Sequence, residues 1–99
     1  MNDALSIART GLSAATLRLD SAAHNIANAM TPGMRRQQVV LQTQPEGGVA
    51  ATLAQAPQAG EDLATDMVEQ HFALYSFQAQ LQIIKAHDRR VGSLLDARA

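Results

Sequence analysis

The sequence of 99 residues contains no cysteine and no tryptophan, and aromatic residues make up only 3% of it. The absence of cysteine excludes disulfides and thiolate chemistry. The formal net charge is −1, which gives no electrostatic basis for binding nucleic acid or an anionic membrane surface. No apolar run is long enough to predict membrane insertion. The N-terminus has no basic segment followed by an apolar run, so we expect no cleaved Sec-type signal peptide.

Hydrophobic residues make up 46% of the chain although aromatic residues are scarce. This composition is typical of an alanine-rich helical protein. The length allows one domain, residues 1–99, with a modest core. We therefore expect a partner or an oligomer to contribute to stability.

Residues 1–30 are predicted to form one long helix, because apolar residues recur in it every seven positions. We call the larger set the leucine seam and the smaller set the alanine seam. The leucine seam comprises Leu5, Leu12, Leu19 and Ile26, and the alanine seam Ala8, Ala15, Ala22 and Ala29. Gly11 lies beside them and is either a tolerated surface glycine or, as we prefer because the alanine seam is alongside, a site of close approach by a second helix. Ile7, Ala14 and Leu17 lie on the back of the helix and indicate a second packing surface.

A sharp corner is predicted after this helix, because Thr31 precedes a proline and Pro32-Gly33 suits the centre of a type II turn. Asn25 and Asn28 have three possible roles: a bond to the backbone of the turn, a bond to a neighbouring subunit, or a simple role at the helix C-terminus.

Residues 31–61 are predicted to contain the turn, a short β-hairpin and a linker. Val39–Leu41 and Val49–Leu53 are the candidate strands, and Pro45–Gly48 separates them. An isolated hairpin is marginal in water, so we expect it to pack on the helices or on a neighbouring subunit.

Residues 62–99 are predicted to form a second long helix that begins at the N-cap Asp62. Its main stripe alternates steps of three and four residues. The members are Leu63, Met67, Gln70, Leu74, Phe77, Leu81, Ile84, Asp88, Val91 and Leu95. A second stripe beside it consists of Val68, Phe72, Tyr75, Ala79 and Ala86.

The predicted fold is mainly α: two long helices packed as an antiparallel coiled-coil hairpin, with a short β-hairpin between them. In this arrangement Leu12 would lie near Leu81, and Asp88 could pair with Arg9.

No catalytic, cofactor-binding or metal-binding residue is predicted. His71 and His87 are sixteen positions apart and neither has a histidine or cysteine one turn away. No nucleophile motif or phosphate-binding loop is present. Arg35 and Arg36 follow the turn and could bind an acidic partner, but a solvated pair is the default interpretation.

The two ends of the chain resemble the bacterial flagellar rod and hook family of axial proteins. The N-terminal likeness lies in Ala8-Arg9-Thr10-Gly11-Leu12, Asn25-Ile26-Ala27-Asn28-Ala29 and Thr31-Pro32-Gly33. The C-terminal likeness lies in Asp62–Glu69, Ile84-Lys85, Asp88 and Gly92–Leu95. The chain departs from the family at Met30 and Met34, where asparagine and tyrosine are usual, and in its short middle segment.

The resemblance implies a structural, non-enzymatic subunit that self-assembles with other rod and hook subunits in the flagellar basal body. It also implies export by the flagellar type III apparatus from the cytoplasm without a cleaved signal. The alternative interpretation is a soluble helical module that binds axial proteins without joining the rod.

Overall fold

Two antiparallel helices and a two-stranded β-hairpin make up the structure, a computed structural model that describes residues 2–98 and the side chains of residues 4–97. Helix α1 spans Asn2–Ala27 and helix α2 spans Leu63–Arg98. Strands β1 (Gln37–Thr43) and β2 (Val49–Gln55) lie between them in the sequence. This mainly helical architecture confirms the predicted fold class.

The strands pair antiparallel, with Gln37 opposite Gln55 and Thr43 opposite Val49. The hairpin packs on α1, and among the described elements it makes no packing contact with α2. Its turn lies over the first turns of α1, where an added Cβ on Gly47 would come within 2.9 Å of the Ile7 side chain. Ala14 is also buried. The predicted second packing surface of α1 is therefore confirmed, and the chain's own hairpin covers part of it.

Small residues fill the space between the helices. Ala8, Ala15 and Ala22 of α1 are at most 3% exposed, and Ala73 of α2 is fully buried. Because alanine has a short side chain, the helix backbones can approach closely here. The leucine seam lies beside this interface, and its residues are only half-buried.

The stripe predicted for α2 is displaced in the structure. Phe77 and Ile84 are half-buried as expected, but Met67, Leu74 and Leu95 are 42–64% exposed. Asp66, Ala73 and Gln80, each one position before a predicted member, face α1 instead. The prediction was wrong here because periodicity favours the larger apolar residue, whereas close helix packing selects the smaller one.

The helix register differs from the predicted one by two residues. The predicted pairing of Leu12 with Leu81 would place Gly11 opposite Gln82, but an added Cβ on Gly11 would come within 2.6 Å of the Gln80 side chain. Because α2 has 36 residues and α1 has 26, the last turns of α2 extend beyond the start of α1. Arg9 and Asp88 are exposed and form no salt bridge among the described residues.

Candidate assembly surfaces and the polar corner

A buried polar cluster joins the end of α1, the start of β1 and the first turns of α2. Asn25 and Asp66 are each 2% exposed, and Asn25 Nδ2 lies 3.1 Å from Asp66 Oδ1. Arg36 donates from Nε to Asp66 Oδ2 at 3.0 Å, and its Nη2 forms a salt bridge with Oδ1. We call these three residues the polar corner.

Asn25 also binds the backbone of the first residue of β1. Its Nδ2 donates to the carbonyl of Gln37 at 2.9 Å, and its Oδ1 accepts the Gln37 N–H at 2.8 Å. The carboxamide therefore occupies the place that a residue of a neighbouring strand would take. The predicted bond of Asn25 to the backbone of the turn is not formed, because the backbone that Asn25 binds is that of β1.

The charged members of the corner compensate one another. The hydrogen bond from Arg36 to Asp66 raises the pKa of the guanidinium above its ordinary value, while burial opposes the increase. A buried carboxylate is costly unless it is paired and hydrogen-bonded. Every buried side-chain N and O atom in the described part of the chain has a partner. The prediction that Arg36 is a solvated residue is wrong.

The Thr-Pro-Gly turn has the predicted geometry. Gly33 has φ of +72°, and the Met34 N–H donates to the carbonyl of Thr31 at 3.2 Å. Because proline fixes φ near −65° at the preceding position, these values describe a type II turn. Asn28 closes the end of α1, since its Nδ2 donates to the His24 carbonyl at 2.9 Å.

The two methionines beside the turn differ in exposure. Met34 is 8% exposed and belongs to the small core, whereas Met30 is 94% exposed. Met34 therefore covers the end of the helical hairpin, and Met30 is available for contact with a neighbour.

Helix α2 begins with a local cap at Asp62. The Thr65 hydroxyl donates to Asp62 Oδ2 at 2.8 Å, and the Thr65 N–H donates to Oδ1 at 3.2 Å. These bonds, the side-chain bond first, lower the pKa of the Asp62 carboxyl below its ordinary value of 3.8. The predicted N-cap is confirmed.

Helix α2 presents a second apolar surface on its side remote from α1. Val68, Phe72 and Tyr75 are 53–67% exposed. Val68 and Tyr75 each follow a buried residue by two positions, which places them on the opposite side of the helix. With Ala79 and Ala86, both exposed, these residues continue the predicted second stripe, which we call the tyrosine stripe. Val68, Phe72 and Tyr75 keep more than half of their surface exposed in the monomer.

A third apolar surface crosses both helices on the side away from the hairpin. Its α1 half is the leucine seam, and its α2 half contains the exposed residues Met67 and Leu74 together with half-buried Leu81. Most residues predicted to pack the two helices together therefore lie along the edge of their interface. They remain accessible to a further helix.

The helices of the described part of the chain do not reach the combination of length and apolar character required to cross a bilayer. In the same part, no three histidine, aspartate or glutamate side chains are close enough together to hold a metal ion. No protein-family model matches the sequence, and a search of curated proteins gave no significant match.

Proposed function

We propose that this chain is a structural subunit of the bacterial flagellar basal body, of the rod type, that self-assembles with axial subunits and carries out no catalysis. The resemblance of both ends to that family supplies the identity of the assembly. One observation on the monomer carries the argument for assembly itself: the buried core consists mainly of small apolar residues, while many of the large ones are exposed.

The buried apolar core of the described chain consists of five alanines and Met34. Removal of apolar surface from water contributes about 25 cal/mol per Å², so alanine side chains provide little of this free energy. Meanwhile Phe72, Tyr75, Leu94 and Leu95 are each at least 60% exposed. Contiguous exposed apolar surface of this kind is characteristic of protein interfaces. A subunit surrounded by neighbours would bury it.

The arrangement of the exposed residues favours several neighbours over one. The tyrosine stripe and the leucine seam with Met67 and Leu74 lie on different sides of the helix pair. Each has the heptad spacing that packs against another helix. If contacts through these surfaces are heterologous and do not close into a ring, they generate helical arrays. This supports partnership with other copies and with related axial subunits.

The decisive experiment places a tagged copy in the native bacterium and measures its amount in purified hook-basal bodies. We expect stoichiometric incorporation for the parent and loss of incorporation for Phe72→Glu, because the charge would be buried at the tyrosine stripe. Gln78→Glu introduces the same charge at an exposed polar position of the same helix and should incorporate normally.

Both variants should keep the parent's circular dichroism spectrum and melting temperature, since neither position packs inside the monomer. Complete basal bodies that lack the tagged parent would contradict the proposal and favour the soluble binding module. Equal incorporation of Phe72→Glu and Gln78→Glu would exclude the tyrosine stripe as an assembly surface.

A further inference from the structure

We propose that the outer edge of β1 binds an extended, uncharged segment of another protein as an added β-strand. The inference does not depend on the proposed function, because it concerns a different surface. It starts from the direction of the backbone groups in the hairpin.

Hydrogen bonds at the two ends of the ladder show which residues of β1 face β2. The Ala56 N–H donates to the carbonyl of Arg36 at 2.7 Å, and the Gln44 N–H donates to the carbonyl of Gly48 at 3.0 Å. Because bonded and non-bonded positions alternate in an antiparallel pair, even-numbered residues of β1 face β2. Odd-numbered residues direct their N–H and C=O groups to the outer edge.

The backbone groups of the first of these outward positions are already hydrogen-bonded within the structure. At Gln37 the Asn25 carboxamide donates to the carbonyl and accepts from the N–H. The next outward positions are Val39, Leu41 and Thr43, and their backbone groups have no hydrogen-bond partner among the described residues. Asn25 therefore fixes one end of an edge that is open over the residues 39–43.

A groove of about 530 Å³ lies beside this open edge. Strand β1 forms one wall, Ser21 and Ala22 of α1 the floor, and Thr65 and Glu69 of α2 the other wall. An added strand lies about 4.8 Å from its neighbour, and among the described residues no Cα atom of β1 lies within 8 Å of a Cα atom of α2, so the groove is open to an extended segment.

The groove also indicates the chemistry of the segment. Its charged residues are paired with one another, Arg18 with Glu69 at 2.8 Å and Arg36 with Asp66. A charged segment would find no free counter-ion there and would lose its hydration. Strand β1 itself contains no charge and no proline, so it lacks the residues that usually protect an edge from pairing. The fitting ligand is an uncharged strand of about five residues with apolar side chains at alternate positions.

The test uses the whole ¹⁵N-labelled chain and a capped synthetic peptide with the sequence of residues 49–55, an uncharged strand that pairs with β1 in the hairpin. We expect saturable NMR shift changes and slower amide exchange at Val39, Leu41 and Thr43. A peptide N-methylated on the amides that face β1 should not bind, whereas N-methylation of the opposite amides should be tolerated.

Leu41→Pro removes one outward N–H and leaves the ladder with β2 complete, because proline is tolerated at such edge positions. We expect it to weaken peptide binding about tenfold, the effect of one lost hydrogen bond. Leu41→Ala keeps the N–H and should weaken binding less than about threefold. The NMR spectrum of each variant should show the intact hairpin.

Equal binding by Leu41→Pro and Leu41→Ala, or shifts confined to the tyrosine stripe, would overturn the proposal. Concentration-dependent protection of the residues 39–43 without peptide would also overturn it, because a second copy would then occupy the edge. None of these outcomes bears on incorporation into basal bodies, so this proposal and the proposed function can fail separately.

Discussion

Replacement of Asn25 by alanine should strongly destabilise the monomer. The side chain is 2% exposed and makes three hydrogen bonds, two to the backbone of Gln37 and one to Asp66. A neutral hydrogen bond contributes about 1 kcal/mol net, and a bond to a charged group about 1.5–3 kcal/mol. Loss of all three gives roughly 3–5 kcal/mol.

Water should recover part of this loss. The Gln37 backbone borders the groove beside β1, so water can reach its N–H and C=O once the carboxamide is removed. We therefore expect Asn25→Ala to lower the free energy of unfolding by about 2–4 kcal/mol. That is a large share of the roughly 5–15 kcal/mol of a typical domain. The same change should abolish protection of the Gln37 amide from hydrogen exchange.

Asn28→Ala is the matched control, because it makes the same change three residues later in the chain. The Asn28 amide donates to one backbone carbonyl in an exposed position, so its loss should cost less than about 1 kcal/mol. Urea unfolding followed by circular dichroism at 222 nm measures both variants. A difference between them below about 0.5 kcal/mol would refute the argument that the polar corner holds the three segments together.

Three further variants test local features. The pKa of the Asp62 carboxyl is lowered in the folded state, so the stabilisation that its ionised form provides is complete above the ordinary pKa and is lost as the pH falls through the folded pKa. The difference in thermal stability between the parent and Asp62→Ala should therefore shrink below about pH 4. In a Gln80→Ala background, which removes the side chain that an added Cβ would meet, Gly11→Ala should raise the free energy of unfolding by about 1 kcal/mol. If it does not, close approach of the α2 backbone limits the size of the residue at position 11. Gly48→Ala should cost more than Gly33→Ala in urea unfolding, because both have positive φ but only Gly48 lies against another side chain; equal costs would contradict this.

The periodic features of the structure could be predicted from the sequence, because they depend on neighbours in the chain. The long helices follow from seven-residue repeats, and the Thr31–Gly33 corner follows from the conformational limits of proline and glycine. The observed β1, Gln37–Thr43, extends two residues beyond the prediction at both ends, and β2, Val49–Gln55, extends two residues beyond it at the end remote from the turn. The local sequence pattern predicts whether a segment is a helix or a strand more accurately than it predicts the first and last residues of that segment.

The polar corner could not be predicted, because its residues come from three separate segments. Asn25, Arg36 and Asp66 each have an ordinary local explanation: a helix end, a solvated charge and a favourable residue near a helix N-terminus. Only the tertiary fold brings them together. The sequence signal that could have identified the polar corner is the presence of a polar residue in each segment at the height where the two long helices and a strand meet. That height is known only once the helix register is known.

Small apolar residues pack between the helices, whereas many large ones lie at the surface. This difference explains both the successful and the failed predictions. Hydrophobic periodicity identifies the residues that will leave water, but it does not say whether the partner belongs to the same chain. In this chain Ala15, Ala22 and Ala73 are buried within the monomer, while Met67, Leu74 and Tyr75 remain exposed. Specific polar contacts at the corner hold the helices in place without using the large side chains. A change at the corner should therefore alter the stability of the isolated chain, whereas a change on the exposed stripes should alter association and leave that stability unchanged.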